Sequence, residues 1–248
     1  MKRASIGAAL IVALAAASQS WASGPIANYA IIDKVVLEPQ KDKPDHVQIW
    51  GTFVMAQDAR GSSYSEPVHG YLYYEANKNN VDICRREWAD MEKVAGTGQV
   101  IGFADTYSFG NLGKVRKGNE KAEKPDRFPL GNGVSTIGDN TNFGPIQKLR
   151  QFPSPKEPNE GDLVPPGTIN LTVRNIADKN HAKAAYVFTV ESPSGDKEVS
   201  GEIKAGAKET TWTPKRPLKK GVKYTWSVQA VDGKWKGPVA TTSFVTKG

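Results

Sequence analysis

From Lys223 to Asp232 the chain reads Lys-Tyr-Thr-Trp-Ser-Val-Gln-Ala-Val-Asp. Tyr224, Trp226, Val228 and Ala230 fall on one side of an extended chain, and Thr225, Ser227 and Gln229 fall on the other. On a helix, residues of one face stand three or four apart, so a period of two excludes that geometry. It marks a strand with one buried face and one wet face. A Gly-containing turn from Leu218 to Val222 precedes the run.

Shorter strands surround it. Ile169 to Val173 opens the region, and Ala184 to Glu191 alternates through Tyr186, Phe188 and Val190. Ser192-Pro193-Ser194-Gly195-Asp196 is turn chemistry. Val199 to Lys204, Thr210 to Thr213 and Thr241 to Thr246 complete the set. Closely spaced short strands with turns between them predict a β-sandwich. The runs Thr211-Trp212-Thr213-Pro214, Leu218 to Val228 and Ser243-Phe244-Val245, with the loop from Ala230 to Pro238, resemble bacterial fibronectin type III-like and immunoglobulin-like modules. The resemblance covers about residues 184 to 246. It implies that Tyr224 is a tyrosine corner, its hydroxyl bonded to upstream backbone.

The N-terminus sets an expected compartment. Lys2 and Arg3 precede an apolar, Ala-rich run from Ala4 to Ala17, and Ser20-Trp21-Ala22 offers small residues around a cleavage point. This predicts a signal peptide over residues 1–22 and export to the periplasm or beyond. The alternative is an uncleaved anchor, but a span needs about 20 apolar residues. No Cys follows the run for lipid attachment, and no later stretch is apolar enough to span. The compact leader has a bacterial look. A single cysteine, Cys84, excludes an internal disulfide, so packing must supply stability.

Residues 23–152 form the first expected domain. Tyr29 to Leu37, Val47 to Met55 and Gly70 to Glu75 read as strands, the first two joined by a polar turn. The period then changes: Cys84, Trp88, Met91 and Ala95 share one helical face in Val81 to Ala95. Gln99 to Ala104 and Leu112 to Arg116 read as further strands. A helix between the third and fourth strands resembles, by element order, the small OB-fold barrel. Residues 117–152 are punctuated by Gly and Pro, with short pieces at Val134 to Ile137 and Ile146 to Phe152. Pro153 to Pro166 reads as a stiff Pro-rich linker. The expectation is thus a mainly β protein: an OB-like barrel with one helix, a linker over 153–166, and a fibronectin type III-like sandwich over 167–248.

Residues that could carry chemistry are scattered. His46, His69 and His181 show no metal-ligand spacing, although His46 and His69 could meet across strands. Cys84 shares the apolar helix face, which favours burial over reactivity despite Arg85 and Arg86 beside it. Gly138 to Gly144 is rich in oxygen ligands but lacks a closing acid, so a polar turn is preferred to a Ca²⁺ loop. No catalytic residue, metal site or cofactor is expected.

Two surfaces remain. If the first domain is OB-like, Trp50, Tyr71, Tyr73 and Tyr74 could line a ligand face, although alternation sets Tyr74 opposite Tyr71 and Tyr73. The +7 net charge is uneven: residues 23–152 hold 16 basic and 16 acidic side chains, residues 153–248 hold 15 and 10. Lys215, Arg216, Lys219, Lys220 and Lys223 form a basic cluster, read either as a solvated turn or as a patch for an anionic glycan or lipid surface. A neutral first domain and export both argue against nucleic acid. The expected function is a non-catalytic binding or assembly protein of the cell envelope, partnered by another envelope protein or an anionic surface. A cofactor-bearing or enzymatic subunit with its site in 117–152, and a structural subunit of a membrane-associated complex, are the alternatives.

Overall fold

A computed structural model describes residues 27–41, 45–57, 63–75, 81–105, 115–116 and 130–248. The expected signal peptide lies outside them. The protein is mainly β, with thirteen strands and two α-helices among the described residues. No described helix is long and apolar enough to cross a membrane.

The N-terminal half is one sheet. Strands β1 (Ala27–Glu38), β2 (His46–Val54), β3 (Val68–Glu75), β4 (Val100–Asp105) and β5 (Leu130–Thr136) lie in the order β3-β2-β1-β4-β5. All their pairings are antiparallel. Helix α1 (Val81–Val94) lays Trp88, Met91 and Val94 on one face, against Ile32, Ile49, Phe53, Leu72, Tyr74 and Ile101. Adjacent residues of a strand point to opposite faces. Ile31 and Val54 therefore face the other way, where they meet Ile146 and Leu149 of helix α2 (Gly144–Gln151). α2 starts without a side-chain cap but with Pro145 in its first turn, where a missing N–H costs nothing.

The expected closed barrel is not formed among the described residues. β3 and β5 are the edges of an open sheet. Of the segment expected as a fifth strand, residues 112–114 lie outside the described residues, and Arg116 bridges β3: its N–H and carbonyl pair with those of Tyr71, both at 2.8 Å. Gly70 permits this approach, because a Cβ there would overlap the Arg116 carbonyl.

The C-terminal half is two packed sheets. The segment expected as a linker carries β6 (Ser154–Glu157) and β7 (Asp162–Val164). They are followed by β8 (Leu171–Arg174), β9 (Ala185–Glu191), β10 (Lys197–Ile203), β11 (Glu209–Trp212), β12 (Lys223–Asp232) and β13 (Trp235–Thr246). One sheet runs β10-β9-β12-β13-β7, the other β11-β8-β6. Tyr224, Trp226, Val228 and Ala230 are buried between them with Leu171, Val173, Tyr186, Phe188 and Phe244, as the alternation of β12 requires. Gly233, at φ 59°, supplies the left-handed turn of the β12–β13 hairpin. Segment 153–166 is sewn in: Trp226 Nε1 donates to the Pro158 carbonyl at 2.9 Å, and Ser243 Oγ donates to Glu160 at 2.7 Å.

Candidate functional site

The two halves meet through a polar cluster. β1 carries a register shift between Ile32 and Lys34, and Asp33 sits at that shift. Asp33 forms an ion pair with Arg174 at the end of β8, in the other half. Beside it, Thr52 Oγ1 donates to Ser154 Oγ at 3.0 Å. Ser154 Oγ lies 2.9 Å from His69 Nδ1. Thr52 and His69 face each other across β2 and β3. The hydroxyls are buried, and His69 and Arg174 are 13% and 15% exposed. α2 adds a second seam: Gln147 and Gln151 donate to Asp178, and the Ala177 N–H donates to the Arg150 carbonyl.

Serine, histidine and aspartate together invite comparison with a nucleophile and its base. Such a relay uses opposite ring nitrogens for the hydroxyl and the carboxylate. Here one nitrogen, Nδ1, is 2.9 Å from Ser154 Oγ and 3.8 Å from Asp33 Oδ2. Ser154 Oγ accepts from Thr52 and shares a second hydrogen bond with His69 Nδ1, whose donor is set by the ring tautomer. Burial penalises the imidazolium and lowers the His69 pKa to about 4. The cluster is a hydrogen-bonded lock between the halves.

Of the four aromatic residues singled out from sequence, three come together. Trp50 stacks on Tyr71 at 4.6 Å between centroids, and Tyr73 joins them on the same sheet face. Tyr74 points through the sheet into the α1 core. The face is more covered than the alternation suggested: Trp50 is 9% exposed and Tyr71 2%. Lys34 Nζ stands 4.9 Å over the Trp50 ring, and Arg116 stands over Tyr73. A chain of bonds runs along it, from Trp50 Nε1 to Gln48, from Gln48 to Glu38, and from Tyr73 to Glu38. Burial and the neighbouring Glu38 carboxylate raise the Tyr73 pKa to about 12, so its hydroxyl keeps its proton.

Next to the lock, a groove opens between the halves. Two lobes of about 420 and 330 Å³ share Trp50, His69, Pro155 and Asn159. The larger is walled by β12 and β13 through Thr225, Thr241 and Ser243, the smaller by Asp33 and Arg174. Sequence reasoning found Trp50 but missed Asp33, Ser154 and Arg174. Each is an ordinary polar residue on a strand, and only long-range pairing brings them together.

The other candidates lie apart. His46 Nδ1 meets the Tyr73 hydroxyl at 3.0 Å and does not reach His69, because β2 and β3 pair His46 with Glu75 and Thr52 with His69. His181 stacks on Trp235 at 3.8 Å, and its Nδ1 lies 3.1 Å from Asp232. Cys84 is within α1, and its side chain lies outside the described residues. The 138–144 loop gives its carbonyls to an arginine: Arg150 donates to those of Gly138, Asp139 and Thr141 at 2.9–3.1 Å. Asp139 is ion-paired with Lys179, whose hydrogen bond and charge lower its pKa. Among the described residues, no group of three His, Cys, Asp or Glu is placed to hold a metal.

The basic cluster is exposed and partly answered by acids. The Lys215 and Arg216 N–H groups donate to Glu198, Lys219 pairs with Asp196, and Lys223 with Glu160, while Lys220 is exposed. No protein-family model matches the chain, and no curated protein matches it.

Proposed function

We propose that the chain is an exported, non-catalytic binding or assembly protein of the bacterial cell envelope, and that it binds through the groove between its halves. The observation that carries this reading is the polar lock beside an open groove, in which Asp33, Arg174 and His69 surround the buried hydroxyls of Thr52 and Ser154. A satisfied polar network rigidifies what it joins. Such a joint holds the walls of the groove at fixed width, as a binding surface on rigid elements requires.

The C-terminal half is read as a fibronectin type III-like module. Two features support this: a three-stranded sheet β11-β8-β6 packed on a sheet β10-β9-β12-β13 that β7 extends at its edge, and the Lys219 N–H donating to the Tyr224 hydroxyl at 2.9 Å. Such modules serve as spacers and docking surfaces, which agrees with a binding role by analogy of fold. The partner is another envelope component, a protein or a glycan or lipid surface. Isolation of the tagged, full-length protein from its native envelope, followed by identification of what accompanies it, tests the reading. A specific companion, lost when the groove is altered, is expected. A processed protein found only as a free species with no companion overturns it.

A further inference from the structure

We propose that the groove takes an uncharged polyhydroxylated chain, a glycan, laid on the outer face of β12 and β13 and ending against Trp50; this rests on the binding-protein reading above. The pleat supplies the first argument. Thr225, Ser227 and Gln229 of β12 point away from the sandwich core, because their neighbours Tyr224, Trp226 and Val228 fill it. The register sets Thr225 opposite Ser243 and Ser227 opposite Thr241, and β9 brings Thr189 opposite Ser227. This sheet face thus carries a row of short hydroxyls, exposed at Thr225 and Thr241, half-buried at Thr189 and Ser227, and buried at Ser243, which donates to Glu160.

Short hydroxyls both donate and accept, and they hold their positions with few rotatable bonds. Sugar hydroxyls require that pairing chemistry, with donors and acceptors interleaved. Thr225 and Thr241 are exposed and line the larger lobe. A glycan along this row would enter the groove at them.

Charge supplies the second argument. The two lobes are lined by four cations and four carboxylates, so the groove has no net charge to attract an ion. Several of these charges are already paired: Asp33 with Arg174, Lys156 with Glu209, and Lys223 with Glu160. His69 is neutral above about pH 4. Sites for apolar small molecules are lined mainly by hydrophobic side chains, whereas here Trp50, Pro67, Val68, Phe152, Pro155 and Val239 are outnumbered by polar and charged residues.

Trp50 supplies the third. It lines both lobes, and Lys34 lies over its ring. Lys34 is exposed on a flexible stem, so it can move off the ring and leave it to the C–H face of a sugar.

The test is an NMR titration of the full mature protein with cellohexaose, maltohexaose and chitohexaose, and separately with anionic polygalacturonate. At least one uncharged hexasaccharide is expected to shift the Trp50 indole and the Thr225 and Thr241 amides. Thr225→Val with Thr241→Val keeps shape at exposed positions, so folding should survive, and affinity should fall at least about tenfold. Absence of binding by all three uncharged probes, binding by the anionic polymer alone, or full affinity in the double variant overturns the proposal. If the envelope isolation yields a specific protein companion while no glycan binds, the glycan proposal fails and the binding-protein reading stands.

Discussion

Thr52 Oγ1 on β2 donates to Ser154 Oγ on β6 at 3.0 Å, across 102 positions of sequence and across the joint between the halves. Both residues are buried. A buried hydroxyl without a partner costs about 1–3 kcal/mol, so each half satisfies the other here. Asp33 and Arg174 do the same with charge.

The first concerns pH. The folded protein keeps His69 neutral down to about pH 4, whereas an unfolded chain protonates it near 6.5. Between those values the unfolded state binds more protons, so stability falls as pH drops from about 6.5 to about 4. The full effect is about 3 kcal/mol. Urea unfolding of the wild type should show the slope, and His69→Gln should flatten it. An equal slope in both proteins would assign the effect to other groups.

The second concerns the corner. Tyr224 is 5% exposed and its hydroxyl accepts the Lys219 N–H. Tyr224→Phe should lower stability by about 0.5–1.5 kcal/mol, read as a shift of the urea midpoint at constant slope. An unchanged midpoint would remove the bond from the account.

The third compares two buried tryptophans. Trp226 Nε1 bonds to the Pro158 carbonyl, whereas Trp88 Nε1 is buried with no partner among the described residues. Trp226→Phe strands a carbonyl, while Trp88→Phe removes an unsatisfied N–H. The first should cost about 1–2 kcal/mol more than the second in chemical denaturation. The reverse order would contradict the bonding described here.

The fourth concerns Arg150, 7% exposed, which holds three carbonyls of the 138–141 turn. Arg150→Met should cost about 2–4 kcal/mol and expose the Thr141 amide, bonded to the Gly138 carbonyl, to faster hydrogen exchange. Unaltered exchange at Thr141 would show that the turn holds its shape without the guanidinium.

These features differ in how visible they are from sequence. β12 is legible because its alternation is local and unbroken from Tyr224 to Ala230. α1 is legible because Trp88 and Met91 recur at helical spacing. β6 and β7 are not, since Pro-rich composition masks them and their pairing is distant: β7 runs parallel to β13, with Leu163 beside Val245. Barrel closure is not legible, because element order does not say which edges pair. Alternation put Trp50 on the correct face but could not show that Lys34, Tyr71 and the C-terminal half would cover it. The lock is the least visible, as Asp33 and Arg174 are 141 positions apart.

The central claim is that the lock makes the two halves one body and so fixes the groove. Electron–electron distance measurement between spin labels tests it most directly. Labels at Lys93→Cys on α1 and Lys197→Cys on β10, both exposed sites, report across the joint in a Cys84→Ser background. One narrow distance distribution is expected, broadening when Asp33→Asn is combined with Arg174→Gln. A broad or two-peaked distribution in the protein with the lock intact would contradict the account.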